Sequence, residues 1–213
     1  MIRHRRGPGE RPLEQDLSRI GAFSDGVLAI AVTLLVLNID VPQLSRDSMQ
    51  ELPAKLVDLW PDLLAYALSF AVIGRYWIVH HRIFGMLRAV DERFITLNLT
   101  FLGLTALMPF TTEVLARYGN QPAATMSYGA VIALASFTTW SLVNYAKRHD
   151  LVKPVAAEAA RRFGTLQALA LPAVFALSVP LALWDTRAAQ AAWVASFLVH
   201  PSRLRRSRSN QHR

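Results

Sequence analysis

The sequence contains no cysteine. Disulfides, thiolate catalysis, iron–sulfur clusters and cysteine-type zinc sites are therefore excluded. The sequence also lacks the G-x-x-x-x-G-K-[ST], G-x-G-x-x-G and H-E-x-x-H motifs and the G-x-S-x-G elbow. The adjacent pair His80-His81 does not place both rings on one helical face, so no metal site is predicted there. We expect no enzyme activity, no cofactor and no resident metal.

Apolar residues make up 53% of the chain, yet the formal net charge is +8. These two values conflict for an ordinary soluble domain but agree when the charges are confined to the connections between apolar segments. The basic residues lie in short connections and tails without interleaved stacking aromatics, so a nucleic-acid partner is not expected. The composition predicts a protein whose partner is the lipid bilayer.

Six apolar windows approach the roughly 20 helical residues that cross a bilayer. They are Ile20–Ile39, Leu59–His80, Phe94–Leu115, Thr125–Tyr145, Phe163–Leu183 and Arg187–His200. The first window is longer than a secretory signal and has no small-residue cleavage site after it, so it reads as a retained span. The fold class predicted is an all-α membrane protein with six transmembrane helices per subunit.

Lysine and arginine alternate along the tails and loops. Their counts, from the N-terminal tail to the C-terminal tail, are 5, 2, 4, 1, 5, 1 and 5, so one side of the membrane would hold 19 and the other 4. Cytoplasmic loops carry the excess of basic residues. This pattern predicts cytoplasmic N- and C-termini. The chain divides into a basic N-terminal tail (residues 1–18), a transmembrane domain (19–200) and a basic, disordered C-terminal tail (201–213).

The first window has a distinct stripe. At ~100° per residue, Leu34, Leu37 and Thr33 fall within about 60° of Ile30 around a helix, whereas Asp25 falls at about 220°. The stripe is therefore an aliphatic face with one hydroxyl, and Asp25 should point towards neighbouring helices. From periodicity alone, an ordinary packing or lipid-facing surface is the favoured interpretation of this stripe.

Several polar residues share one depth. Asp25, Arg75, Asn98 and Asn144 all lie within roughly 5–9 Å of the cytoplasmic boundary by helical rise. A charge at that depth needs a partner, and Arg75 is the obvious one for Asp25. His81, Ser24 and Asn98 would complete a network. The alternative is that Arg75 extends to the lipid headgroups and that Asn98 merely caps a neighbour.

The start of the first window carries the residues Arg19-x-x-x-Phe23-Ser24-Asp25, followed by Gly-Val-x-Ala-Ile-x-Val-Thr. In these residues the chain resembles the transmembrane protein 175 family, which are endolysosomal potassium channels in animals with single-repeat bacterial and archaeal relatives. The resemblance implies a homotetramer whose four first helices line a central pore, with passive conduction of potassium. It also implies that Ile30, five residues after Asp25, forms the narrowing. Thr33, Leu34 and Leu37 would continue the lining.

The leading hypothesis is thus a potassium-selective, moderately selective cation channel of prokaryotic type in the plasma (inner) membrane. The T-V-G-Y-G filter of ordinary potassium channels is absent, so selectivity would come from side chains on the first helix. A secondary or proton-coupled transporter is one rival; it predicts internal repeats, broken helices and midplane acids. A non-conducting membrane interaction protein is the other.

Overall fold

A computed structural model describes residues 13–163 and 166–198, and their regular secondary structure is helical. The helices are α1 (Leu13–Leu34), α2 (Leu52–Asp58), α3 (Trp60–Met86), α4 (Glu92–Ala106), α5 (Met108–Tyr118), α6 (Pro122–Arg148), α7 (Ala157–Phe163), α8 (Leu166–Leu181) and α9 (Thr186–Leu198). The predicted all-α class is confirmed. Because α1 begins at Leu13, residues 13–18 of the predicted N-terminal tail are helical, whereas residues 1–12 and the tail 201–213 lie outside the described residues.

Four helical segments are long and apolar enough to cross a membrane: Asp16–Asn38, Trp60–Met86, Glu92–Tyr118 and Pro122–Arg148. They coincide with the first four windows of the sequence. Within the described residues, the last two windows contain the shorter helices α8, of 16 residues, and α9, of 13 residues. These two lengths fall below the roughly 20 residues that a perpendicular span requires.

Prolines set several helix boundaries. Pro61 and Pro122 lie in the first turns of α3 and α6, where a missing N–H costs no helical hydrogen bond. Pro109 divides the third window into α4 and α5, because a proline inside a helix removes one hydrogen bond and clashes with the preceding turn. The carbonyl of Pro109 accepts a hydrogen bond of 2.6 Å from Asn38 Nδ2, which ties the segment after α1 to α5.

The chain leaves α1 through a 3-10 turn at Leu35–Asn38. With three residues per turn, this segment places Leu37 directly beyond Leu34 on the same face. Two ion pairs follow: Arg117 lies 2.9 Å from Asp40 and 3.0 Å from Glu113. Such exposed pairs contribute little stability. The pair of Arg117 with Glu113 lies within α5, whereas the pair of Arg117 with Asp40 and the bond from Asn38 both join the segment after α1 to α5.

Helix α6 is central and packs against α4, α5 and α8. Its buried hydroxyl Tyr128 bonds to Ser69 at 2.9 Å, and Ser69 bonds to Thr112 at 2.8 Å. Unpaired polar groups are costly in a bilayer, so such pairs fix how the helices meet. Gly129 allows α8 to approach closely, since an added Cβ would lie only 3.2 Å from Ser178 Oγ.

Candidate functional site: the first helix and its partners

Helix α1 has one buried and one exposed face. Ser24, Leu28, Ala31 and Leu35 pack into the subunit and are almost fully buried. The stripe identified from the sequence lies on the exposed side: Ile30 is 60% exposed, Leu34 41% and Leu37 73%. The stripe is therefore not part of the core of the subunit. Another surface of α1, centred on Ser24 and Leu28, packs against α3 and α4.

The exposed face also carries one hydroxyl. Thr33 Oγ1 donates a hydrogen bond of 2.9 Å to the carbonyl oxygen of Ile30 on its own helix. A threonine hydroxyl has one donor hydrogen and two acceptor lone pairs. With the hydrogen directed to Ile30, the lone pairs of Thr33 remain able to accept a donor or to face a cation. Phe23 extends the same exposed side by a further large ring.

Ser24 belongs to a buried chain of hydrogen bonds. Asn98 Nδ2 on α4 donates to Ser24 Oγ at 2.9 Å, and Ser24 Oγ donates to the carbonyl of Ile20 at 2.8 Å. The Asn98 Oδ1 atom lies 2.9 Å from His80 Nε2 on α3. Since the amide oxygen can only accept, this bond requires the proton on Nε2. Ser24 and Asn98 thus share a network with His80, and the predicted pair of Asp25 and Arg75 is not part of it.

Asp25 has a different partner from the one expected. Its Oδ1 atom accepts a hydrogen bond of 3.0 Å from Trp77 Nε1, and within the described residues no ion pair joins Asp25 to Arg75. Arg75 and Trp77 are two residues apart, so they point to sides of α3 that differ by about 200°. Only one can face α1, and it is Trp77. Arg75 is exposed.

The prediction of His81 was also wrong in detail. The ring of His81 is exposed and stacks on Trp77 with a centroid distance of 5.7 Å, whereas His80 is buried and bonded to Asn98. One signal in the sequence indicated this. The spacing of Ser69, Val72, Ile73 and Tyr76 along α3 marks a buried face that continues to His80. Depth alone cannot separate two adjacent residues, but helical phase can.

A further cluster was not anticipated. Asp91 caps α4 by accepting a bond of 2.8 Å from the Phe94 N–H, and its other oxygen accepts a bond of 2.8 Å from the Tyr145 hydroxyl. Desolvation acts to raise the pKa of Asp91. The two hydrogen bonds, together with the nearby His149, outweigh this effect and hold the pKa below its usual range. An N-cap aspartate before a helix was readable from the sequence, but its bond to Tyr145 was not.

Taken together, the fold and the site define a class: an all-helical membrane protein in which a polar network anchors the first helix while that helix exposes an apolar, hydroxyl-bearing face. Residues 19–109 match the family model described as endosomal/lysosomal potassium channel TMEM175. A crystal structure of a lysosomal potassium-selective channel TMEM175 homolog from Chamaesiphon minutus superposes with a TM-score of 0.69 and 32% identity, over 84% of this chain and 93% of that one. The chain belongs to the TMEM175 family.

Two curated relatives extend the comparison. A potassium channel of Chamaesiphon minutus is 43% identical over 130 residues, which are 59% of this chain and 64% of the relative. A potassium channel of Streptomyces collinus is 42% identical over 116 residues, 54% of this chain and 55% of the relative. The chain thus matches less than two thirds of the length of these relatives. The relatives are ion channels and not enzymes.

Proposed function

We propose that this protein is a passive potassium-selective cation channel, assembled as a homotetramer around a central pore lined by α1. The observation that carries the proposal is the exposed stripe of α1, because Ile30, Thr33, Leu34 and Leu37 are exposed although they lie on the most apolar of the four segments that are long enough to cross a membrane. The potassium-channel names of the relatives support the same function.

One subunit cannot enclose a pore with a single helix face. Identical helices from several subunits must therefore surround it, and closed symmetry is the usual arrangement of homo-oligomers. The network of Ser24, Asn98 and His80 and the bond from Trp77 to Asp25 hold the buried and lateral sides of α1. In this role they are positioning residues, because they set the orientation of the stripe without contacting an ion.

The narrowing lies at Ile30 in this proposal. Four isoleucine side chains that meet at the axis form a short dry neck, at which an ion sheds part of its hydration shell. This step penalises sodium more than potassium, because sodium holds its water more tightly. Thr33 lies almost one turn beyond, and its free lone pairs can face the partly dehydrated ion. Leu34 and Leu37 continue the lining.

The test is a flux measurement with purified protein in liposomes. Ile30→Asn should wet the neck, raise conductance and weaken the potassium preference, whereas Thr33→Val should lower selectivity or current without unfolding the protein. Leu134→Asn is the matched control, since Leu134 is a comparably exposed aliphatic residue on α6. An unchanged reversal potential and current in a folded Ile30→Asn tetramer would show that the stripe is a packing face.

The same assay separates the rival functions. A channel gives a flux that follows the imposed voltage without saturable coupling. A secondary or proton-coupled transporter gives a saturable flux coupled to a second ion, and an interaction protein gives no flux.

The proposed topology has six spans, with α8 and α9 as the fifth and sixth, both termini in the cytoplasm and the plasma (inner) membrane as the location. It rests on the alternating distribution of lysine and arginine. Since the chain has no cysteine, any label must be attached to the single cysteine that is introduced. Asn120→Cys, at an exposed loop residue between α5 and α6, should label from outside, and Ser209→Cys only from inside. Labelling of Ser209→Cys from outside would show that the sixth span is absent.

A further inference from the structure

Two grooves flank α1 at the end of the bundle where α1 begins, α3 ends and α4 begins. The first, the α3-side groove, has a volume of about 580 Å³ and lies between α1, the last turns of α3 and the segment that follows α6. The second, the α4-side groove, has a volume of about 600 Å³ and lies between α1 and the start of α4. Both are open surfaces beside the helix that carries the exposed stripe.

The two grooves face opposite directions around α1. Gly21 and Asp25 line the α3-side groove, whereas Arg19 and Phe23 line the α4-side groove. At ~100° per residue, the centres of the two sets lie roughly 180° apart around the helix. The buried face at Ser24 lies between them on one side. The exposed arc of α1 lies between them on the other, and within this arc the stripe at Ile30 lies nearer to the α4-side groove. Each subunit therefore has two lateral surfaces beside α1, one that carries the α3-side groove and one that carries the α4-side groove.

The charges of the two grooves are opposite. The α3-side groove is lined by Arg88 and Lys153, with His80 and His81, and by a single carboxylate, Asp25. The α4-side groove is lined by three carboxylates and a single cation; these are Asp16, Asp91, Glu92 and Arg19. One lateral surface is thus predominantly basic and the other predominantly acidic, at the same end of the bundle.

The basic residues are placed by the main chain. The backbone N–H of Arg88 donates to the Leu151 carbonyl at 2.8 Å, and that of Lys153 donates to the Met86 carbonyl at 2.9 Å. These bonds flank an antiparallel bridge between Leu87 and Val152. The loop after α6 is therefore fastened to the end of α3. Both basic side chains line the groove, where Arg88 Nε donates to the Asp150 carbonyl and Lys153 Nζ donates to the Gly85 carbonyl at 3.2 Å.

Large apolar side chains accompany the charges on both lateral surfaces. On the α4 side, Phe23 is 56% exposed and Leu99 is 50% exposed, and both line the groove. On the α3 side, Trp77 is 46% exposed beside Asp25 and His81. Exposed apolar residues rimmed by complementary charges are typical of an interface between proteins.

Cyclic assembly makes a specific demand on such surfaces. In a ring, every interface is heterologous, so one lateral surface of each subunit meets the other lateral surface of the next. If the exposed arc of α1 points to the axis, the two surfaces that meet are those that carry the basic and the acidic groove.

We propose that neighbouring subunits assemble by docking the basic α3-side groove of one copy onto the acidic α4-side groove of the next, with Arg88 and Lys153 facing Glu92 and Asp16. This interface rests on the proposed homotetramer and specifies how it closes. It uses a second copy of this chain as its partner. It also explains why Phe23 on α1, Trp77 on α3 and Leu99 on α4 are exposed beside the two grooves.

Cysteine crosslinking tests the proposal directly, because the chain has no native cysteine. Full-length Lys153→Cys and Glu92→Cys chains with different tags are co-expressed in membranes and treated with a short bis-maleimide. A covalent dimer carrying both tags is expected from this mixture, and neither variant alone should form one. A chain with both substitutions should give a ladder that ends at the tetramer.

The matched control pairs two cysteines from the same groove. Arg88→Cys and Lys153→Cys chains, co-expressed in the same way, should give no mixed dimer, because like grooves do not meet in a cyclic ring. Mixed dimers from this control, or none from Lys153→Cys with Glu92→Cys, would overturn the proposed interface.

Charge reversal supplies an independent measurement. Glu92→Lys should reduce the fraction of tetramer in size-exclusion chromatography with light scattering severalfold, and adding Arg88→Glu to the same chain should restore it. Failure of the restoration in a folded protein counts against the pairing. Light scattering of the unmodified chain separates the two levels: a monomer overturns the homotetramer together with this interface, whereas a tetramer that lacks the expected crosslink overturns the interface alone.

Discussion

Removal of the Asn98 side chain gives the sharpest test of how α1 is held. Asn98 is fully buried and joins three helices, because it donates to Ser24 on α1 and accepts from His80 on α3. Asn98→Ala leaves the His80 Nε2–H without a partner, which costs about 1–3 kcal/mol, and removes one further hydrogen bond. Hydrogen bonds between membrane helices average about 0.6 kcal/mol, since the unfolded chain also finds partners in the bilayer. We expect a loss of about 2 kcal/mol.

The assay is the free energy of unfolding of the purified protein in a titration from mild detergent to sodium dodecyl sulfate. Thr96→Ala is the matched control, because Thr96 is exposed on the same helix and its hydroxyl bonds only to its own helix at Glu92. Asn98→Asp should be intermediate, since the carboxylate still accepts from His80 but donates nothing to Ser24. If Asn98→Ala destabilises the protein no more than Thr96→Ala, the network does not anchor α1.

Two further predictions concern the neighbouring charges. Trp77→Phe removes the donor to Asp25 and should lower the free energy of unfolding by about 1 kcal/mol, whereas Arg75→Gln should change it by less than about 0.5 kcal/mol. A larger loss for Arg75→Gln than for Trp77→Phe would instead support the pairing of Asp25 with Arg75. The pKa of Asp91 is lower in the folded protein than in the unfolded chain, where it is about 3.9. Ionised Asp91 therefore stabilises the fold at pH values above about 3.9, and this contribution is lost as the pH falls through the folded pKa. Thermal melting should therefore show Asp91→Asn to be less stable than the parent at pH 7, with the difference narrowing below about pH 4.

The tertiary structure corrected the predicted contacts between α1 and the neighbouring helix α3. Helical phase on α1 predicted that Asp25 points away from the stripe and towards a neighbouring helix; its side chain does bond to Trp77 on α3, but it is exposed rather than buried between helices. Helical phase on α1 did not predict the partner, because the choice of partner depends on the rotation of α3 against α1. A rotation of about 200° separates Arg75 from Trp77, and no rule of charge pairing specifies which of the two faces inward. The same rotation placed His80 in the network and left His81 outside it.

The sequence by itself determined the features that depend on local properties. The helical class and the first four long apolar helices follow from composition and window length, and the apolar stripe of α1 follows from periodicity, whereas its exposure was decided by the structure. These properties are local because bilayer thickness and helical pitch act on one segment at a time. Only the tertiary structure decided that α4 and α5 are separate helices held to the end of α1 through Asn38, and that Asp91 bonds to Tyr145. Those features require two segments distant in the chain to meet, and that geometry arises from packing rather than from any one segment.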